Sequence, residues 1–372
     1  MAGESGDGAF VKIVARTGRD DVAVAYVAET SGGRLVEFTE AVQPPLSREQ
    51  KWVLIVSSLY GCPAGCAFCD AGGRYEGRMS AGEILEQIDF LVDGRYPDRR
   101  VACEKFKVQF ARVGEPSLNP AVLDVLEEMP RRYDAPGLLP SVSSIAPRGC
   151  DAFFERLREI KSRLYPGGRF QLQFSIHTTD VRLRDELIPV KKWSFDRIGE
   201  YGSRFRESGD RKVTLNFALS AGAAVDPCVL TKHFDPDDFL IKITPVNPTH
   251  RAASSGLVSA VRPGREEAGP EIRALEAAGY RVLLSIGEVE ENRIGSNCGQ
   301  YIQRHLEASK RLEGGYGCVD EELGVEAFAV RSAAPPAASS AGAATPSRGT
   351  AVSVRGAKPP SRGATSEGPA DE

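Results

Sequence analysis

From Lys51 onward the chain repeats one rhythm, a short apolar or alternating run followed by a stretch of helical periodicity. The runs fall at 52–58 (WVLIVSS), 106–113 (FKVQFARV), 138–145, 170–177 (FQLQFSIH), 212–219 (KVTLNFAL) and 238–246 (DFLIKITPV). Strand-length runs alternating with helices call for a parallel sheet, because each return to the same sheet edge needs a crossover. One helix is predicted from Ser80, where Glu83 completes a capping box and Ile84, Leu85, Ile88, Leu91 and Val92 share one stripe. Another is predicted from Asn119, with Pro120 in its first turn. Six such units predict an α/β protein whose sheet is open or rolled into a full or partial barrel.

The run RFQLQFSIH discriminates further. Period-two alternation puts Phe170, Leu172, Phe174 and Ile176 on one face and Gln171, Gln173, Ser175 and His177 on the other. A parallel strand buried on both faces is normally apolar throughout. The polar face therefore lines a hydrated or ligand-filled lumen, as a widened or incomplete barrel provides, or else belongs to an edge strand facing water.

Outside this core, AFVKIVAR, VAVAYVAE and RLVEFTEAV predict a small antiparallel meander over residues 1–50. A partial (βα)6 barrel is expected over 51–310, its C-terminal loop carrying Cys298, with a C-terminal extension over 311–330. Residues 331–372 contain no aromatic residue, Leu or Ile, so they cannot bury enough apolar surface to offset ordering and are expected to be a disordered tail. Lys and Arg number 47 against 51 Asp and Glu, a net charge of −4, which is not the footprint of a dedicated nucleic-acid binder. No apolar stretch approaches the roughly 20 residues that span a bilayer, and MAGESGDGAF lacks a signal-peptide pattern. The expectation is a cytoplasmic enzyme with no membrane partner. Eight cysteines, at 62, 66, 69, 103, 150, 228, 298 and 318, are too few in so long a chain for a disulfide scaffold. In a reducing compartment their clustering points to metal or to chemistry.

Three of them, Cys62, Cys66 and Cys69, sit in LYGCPAGCAFCDAGG, just after the first strand of the βα repeat. A structural zinc site wants four ligands, and no fourth Cys or His lies nearby. An iron–sulfur cubane normally takes four cysteines, so three leave one iron free to bind something else. CxxxCxxC with Phe68 before its last cysteine resembles the signature of radical S-adenosylmethionine (SAM) enzymes. That resemblance implies a [4Fe–4S] cluster on Cys62, Cys66 and Cys69, SAM chelated by the open iron, and cleavage of the sulfonium to a 5′-deoxyadenosyl radical.

Further landmarks narrow the resemblance. ARVGEPSLN is similar to the GEP motif that holds the SAM amino group, here through Gly114 and Glu115. SVSSIAP is similar to the next-strand segment that places a serine, Ser143, at the cofactor. FSIHTTDVRLRDELIPV resembles a stretch whose Ser175, Ile176 and His177 touch SAM. ITPVNP puts Asn247 at the ribose contact, and IGSNCGQYI presents Cys298. With Glu37 in GGRLVEF as a base or substrate-positioning group, these are the ordered landmarks of the RlmN/Cfr radical SAM methyltransferases, which methylate carbon 2 or carbon 8 of adenosine in RNA. The likeness runs from Glu37 to Gln300. It implies that Cys298 accepts a methyl from one SAM, which a second SAM converts to a radical that adds to an unactivated carbon. It also implies an electron donor such as flavodoxin or ferredoxin.

The chain departs from that pattern twice. The family resolves its covalent adduct with a cysteine seven residues before the first cluster cysteine, and this position is Ile55. Either another thiol substitutes, Cys318 first and Cys103, Cys150 or Cys228 behind it; or the adduct collapses without a disulfide; or Cys298 is not methylated and the radical takes hydrogen directly from substrate. Only about 36 residues precede Glu37, too few for the family's RNA-gripping domain. A small-molecule or peptide substrate in a biosynthetic pathway is therefore expected ahead of RNA. The rival readings are a radical enzyme without methyl transfer and a non-catalytic cluster or zinc protein acting as a redox sensor.

Overall fold

All six runs form strands, and each is followed by a helix. The computed structural model describes residues 11–261, 269–286, 291 and 294–296. Cys298, Cys318, the extension at 311–330 and the tail at 331–372 lie outside the described residues. In chain order the elements are β1 (Lys12–Arg19), β2 (Ala23–Glu29), β3 (Leu35–Ala41), β4 (Lys51–Val56), the two-residue pair β5 (Leu59–Tyr60) and β6 (Gly77–Arg78), α1 (Ala81–Arg95), β7 (Lys105–Phe110), α2 (Ala121–Arg132), β8 (Leu138–Ser144), α3 (Asp151–Leu164), β9 (Gln171–Ser175), α4 (Val181–Leu187), α5 (Phe195–Phe205), β10 (Val213–Leu219), α6 (Pro227–His233), β11 (Phe239–Pro245), α7 (His250–Ser254), α8 (Pro270–Ala277) and β12 (Val282–Leu284).

Ten strands make one sheet in the order β1-β2-β3-β4-β7-β8-β9-β10-β11-β12. From β4 to β12 every pair is parallel. The order never reverses, so right-handed crossovers put the helices on one side and leave an inner face without them. Alternation sets the two faces. Trp52, Leu54 and Val56, then Phe106, Val108 and Phe110, are fully buried in the main apolar core beneath the helices. Register places Ile55, Gln109, Ser141 and Gln171 in one row on the opposite, inner face.

The three N-terminal strands continue this sheet: β3 pairs antiparallel with β4 through Thr39–Ile55 and Ala41–Val53. Glu40, 2% exposed, locks the junction by accepting from Tyr26 Oη (2.9 Å), Trp52 Nε1 (2.9 Å) and Arg95 Nη2 (2.7 Å).

Local signals translate closely. Ser80 caps α1 with both halves of the capping box formed, and the predicted stripe is buried. The helix expected from Asn119 begins at Ala121, with Asn119 accepting from the Ala121 N–H. The short seventh parallel strand, β12, was not among the expected runs. Among the described residues no helix is long and apolar enough to cross a membrane.

Candidate active site

The cysteine loop follows the carboxyl end of β4 and is anchored from two sides, the end of α4 and the start of α7. Ala67 N–H donates to Leu187 O at the end of α4 (2.9 Å). Thr249 Oγ1 donates to Phe68 O (2.9 Å), and the carboxylate of Asp70 accepts from the N–H groups of His250 (3.1 Å) and Arg251 (2.9 Å), which open α7. Beneath the loop Cys66 packs with Ala64, Ile145, Leu187 and Ile188, with Cys62, Phe68 and Cys69 against the cluster. An apolar floor of this kind keeps water from a redox centre.

The thiols feel this surrounding. Burial pushes Cys62 up to about 12 and raises Cys66 further, and each is raised again by the charges of neighbouring cysteines in the set. Cys62 and Cys66, whose thiols burial holds protonated, suit a cation-rich occupant, which binds them as thiolates and releases their protons. Among the described residues no three His, Cys, Asp or Glu side chains converge as a single ion requires. A cubane spreads its cysteines over different irons and can leave one iron open, whereas structural zinc takes four ligands, so a set of three cysteines fits a four-iron cluster better than zinc.

Around this loop the strand ends bring most of the expected residues together. Glu115, 5% exposed, follows β7. Its Oε1 accepts from Ser117 N–H (3.1 Å), Ser117 Oγ (2.6 Å) and Ser144 Oγ (2.6 Å), and its Oε2 from Ile145 N–H (2.9 Å). Burial raises its pKa, and these donors pull it back. Glu115 therefore clamps the ends of β7 and β8 together, keeping spare accepting capacity only at Oε2. Gly114 beside it has φ +106°, and a Cβ there would sit 2.6 Å from Leu59 side-chain carbons and 2.9 Å from Leu59 N. A Gly114→Ala protein should lose about 2–4 kcal/mol of stability, from the strained φ and the backbone clash. The check is a chemical-denaturation midpoint, which should fall with the slope unchanged.

Ser144, not Ser143, meets Glu115. Ser143 lies on the inner face and accepts from Gln173 Nε2 (3.2 Å). Ser175 is on that face too, in register with Asn216. Ile176 has a fully buried side chain, so only its main chain is available to a ligand. His177, 3% exposed, has φ +67°, and its ring lies edge-on to Phe68 with centroids 4.4 Å apart. Its Nδ1 accepts from Ala218 N–H (3.0 Å), so the ring proton belongs on Nε2. Burial, helped by the Arg184 charge, pushes its pKa down to about 3; it is a neutral donor at pH 7. Asn247 is half-buried after β11, two residues before the Thr249 that holds the cysteine loop.

Glu37 is elsewhere on the inner face, 0% exposed. It pairs with Arg112, 1% exposed in its side chain. Arg112 also donates from Nη1 to Ser296 O and from Nη2 to Gly295 O, each at 2.8 Å. Those carbonyls immediately precede Asn297 and Cys298 in sequence. Arg112, Ser117, Ser144, Asp70 and Thr249 were not among the expected site residues. The signal for Arg112 was an arginine near the end of an alternating strand run, two residues before GEP. Ile55 faces inward between Thr39 and Gln109. Of the thiols expected to replace the missing one, Cys103 and Cys150 are buried and Cys228 is exposed.

No family model matches the chain. It is similar to proteins named probable dual-specificity RNA methyltransferase RlmN. The one from Desulfitobacterium hafniense is 29% identical over 271 residues, 69% of this chain and 68% of that protein. That from Rhodopirellula baltica is 26% identical over 250 residues, 64% of each, and that from Cutibacterium acnes 27% identical over 304 residues, 76% of this chain and 69% of that protein. The chain thus spans about two thirds of the length of these relatives. Its fold is shared with a radical SAM methyltransferase from Sphaerobacter thermophilus, at a TM-score of 0.60 and 20% identity, over 78% of this chain and 80% of that one.

Proposed function

We propose that this chain, a radical SAM methyltransferase of the RlmN type by its relatives, moves a one-carbon unit from SAM through Cys298 to an unactivated carbon of a small-molecule or peptide substrate. In this reading Cys62, Cys66 and Cys69 hold the [4Fe–4S] cluster, and Gly114, Glu115, Ser143, Ser175, Ile176, His177 and Asn247 contact SAM. Bound together, cluster and SAM supply a one-electron cleavage that generates a carbon radical.

The protein's own part is placement and exclusion. Glu115 Oε2 offers its remaining lone pair to an ammonium donor, while His177 holds a proton at Nε2 as a neutral donor. The apolar packing under Cys66 keeps the reductive chemistry dry. The observation that carries the reading is the junction of the cysteine loop with the ends of β7, β8, β9 and β11, made through Glu115, His177 and Thr249. Ligands of parallel α/β sheets gather at the carboxyl ends of the strands.

A second reading, methylation of RNA, is favoured by the names of the relatives. The net charge of −4 favours the first. Peptide mass spectrometry on anaerobically reconstituted enzyme given SAM and a reductant should find a methyl group on the peptide containing Cys298. An unmodified peptide alongside 5′-deoxyadenosine would sink the thiol-borne transfer and leave a radical enzyme acting directly on its substrate.

A further inference from the structure

The short helix α7 is tied to the cysteine loop at both of its ends. Thr249 Oγ1 donates to Phe68 O (2.9 Å), and the Asp70 carboxylate accepts from the N–H groups of His250 (3.1 Å) and Arg251 (2.9 Å). Past the last turn, Ser255 Oγ donates to Ala67 O (3.0 Å). The Arg251 side chain reaches the loop as well. A Cβ on Gly72 would overlap Arg251 Nη1 and would stand 2.9 Å from Gly65 Cα. Only a residue without a side chain at 72 lets the guanidinium come this close.

Gly65 and Gly72 belong to the two arms of the loop. Gly65 immediately precedes Cys66. Gly72 forms an isolated bridge with Cys62, and its N–H donates to Cys69 O (3.3 Å). All three cysteines are therefore joined, along the chain or through the main chain, to the glycines beside the guanidinium. Arg251 Nη1 is buried and donates to no described residue. The Asp70 carboxylate bonds the main chain of Arg251, not this nitrogen. A buried donor without an acceptor is costly, and a charged one more so. The loop it lies against is the one whose donor set fits a four-iron cluster, a group whose thiolates and sulfides accept hydrogen bonds.

We infer that Arg251 is a positioning residue for the iron–sulfur cluster, its Nη1 serving the cluster's sulfur as a donor and its charge raising the reduction potential. A cubane on three thiolates gains one negative charge with each electron it takes up, so a fixed cation beside it favours the reduced form. Hydrogen bonds to the sulfurs act in the same direction. The inference rests on the reading of Cys62, Cys66 and Cys69 as cluster ligands, and adds a residue that none of the sequence landmarks includes.

The test is a redox titration, followed by electron paramagnetic resonance, of full-length protein reconstituted anaerobically and kept free of SAM. At a fixed poise the ratio of reduced to oxidised cluster in Arg251→Met should be about tenfold below wild type, a midpoint about 59 mV more negative for one electron. Arg251→Lys, which keeps the charge, should recover much of that ratio. A midpoint in Arg251→Met equal to wild type would overturn the inference, as would Arg251→Lys falling equally far. SAM binding to the oxidised protein is measured beside it by calorimetry. Weaker SAM binding at an unmoved midpoint would assign Arg251 to SAM and overturn its assignment to the cluster. If Arg251→Met loads no iron, Arg251→Lys decides: full iron and a midpoint near wild type support the inference, and iron lost there too makes the residue structural and overturns it. Wild type that shows neither iron nor visible absorbance fails the cluster reading itself, whereas a loaded wild type matched by Arg251→Met fails only the role given to Arg251.

Discussion

A Cys66→Ala protein should fold normally yet hold little iron, and its formation of 5′-deoxyadenosine should fall by about three orders of magnitude, roughly 4 kcal/mol of barrier. Cys66 is 8% exposed among Ala64, Ile145, Leu187 and Ile188. Alanine keeps this apolar packing, at a cost of about 1 kcal/mol. The loss is therefore chemical: two cysteines cannot retain a cluster whose fourth iron must stay open to substrate. Iron content, visible absorbance and product are measured together, beside Cys228→Ser, whose exposed thiol lies outside the loop and whose cluster should load fully. A Cys66→Ala protein that kept its iron and its product would remove Cys66 from the ligand set.

Arg112→Met should destabilise the fold by about 3–5 kcal/mol, because it takes the ion-pair partner from a fully buried carboxylate. Denaturation midpoints read that loss but cannot separate fold from function. The double variant Glu37→Gln, Arg112→Met can, since removing both charges together should restore most of the stability. What it cannot restore is the guanidinium fork on the Gly295 and Ser296 carbonyls. Methylation of the Cys298 peptide should therefore fall by at least about tenfold, the equivalent of about 1.4 kcal/mol, while 5′-deoxyadenosine formation continues. Undiminished methylation in the double variant would reduce Arg112 to a structural role.

The strand rhythm and the α1 cap were legible because each rests on neighbours in sequence, as period-two alternation or an i to i+3 exchange. The polar face of β9 was legible for the same reason. What escaped was what depends on distant pairing. Ser143 and Ser144 are adjacent, yet one faces inward and the other meets Glu115, since a one-residue step along a strand changes faces. Arg112 and Glu37 find each other only through the join of β3 to β4. The three residues of β12 are too few to display any period.

The join of the meander to the main sheet has a consequence for how the chain is made. Ala23, Ala25, Val27 and Ala41 form an apolar patch that is closed by Ile294, while Arg112 reaches carbonyls 183 and 184 residues further on. Contacts of such sequence separation form late in folding. During synthesis the ribosome therefore releases a nearly complete sheet whose N-terminal patch stays bare until residue 294 has emerged. Over that interval the nascent chain carries an apolar surface of the kind chaperones hold.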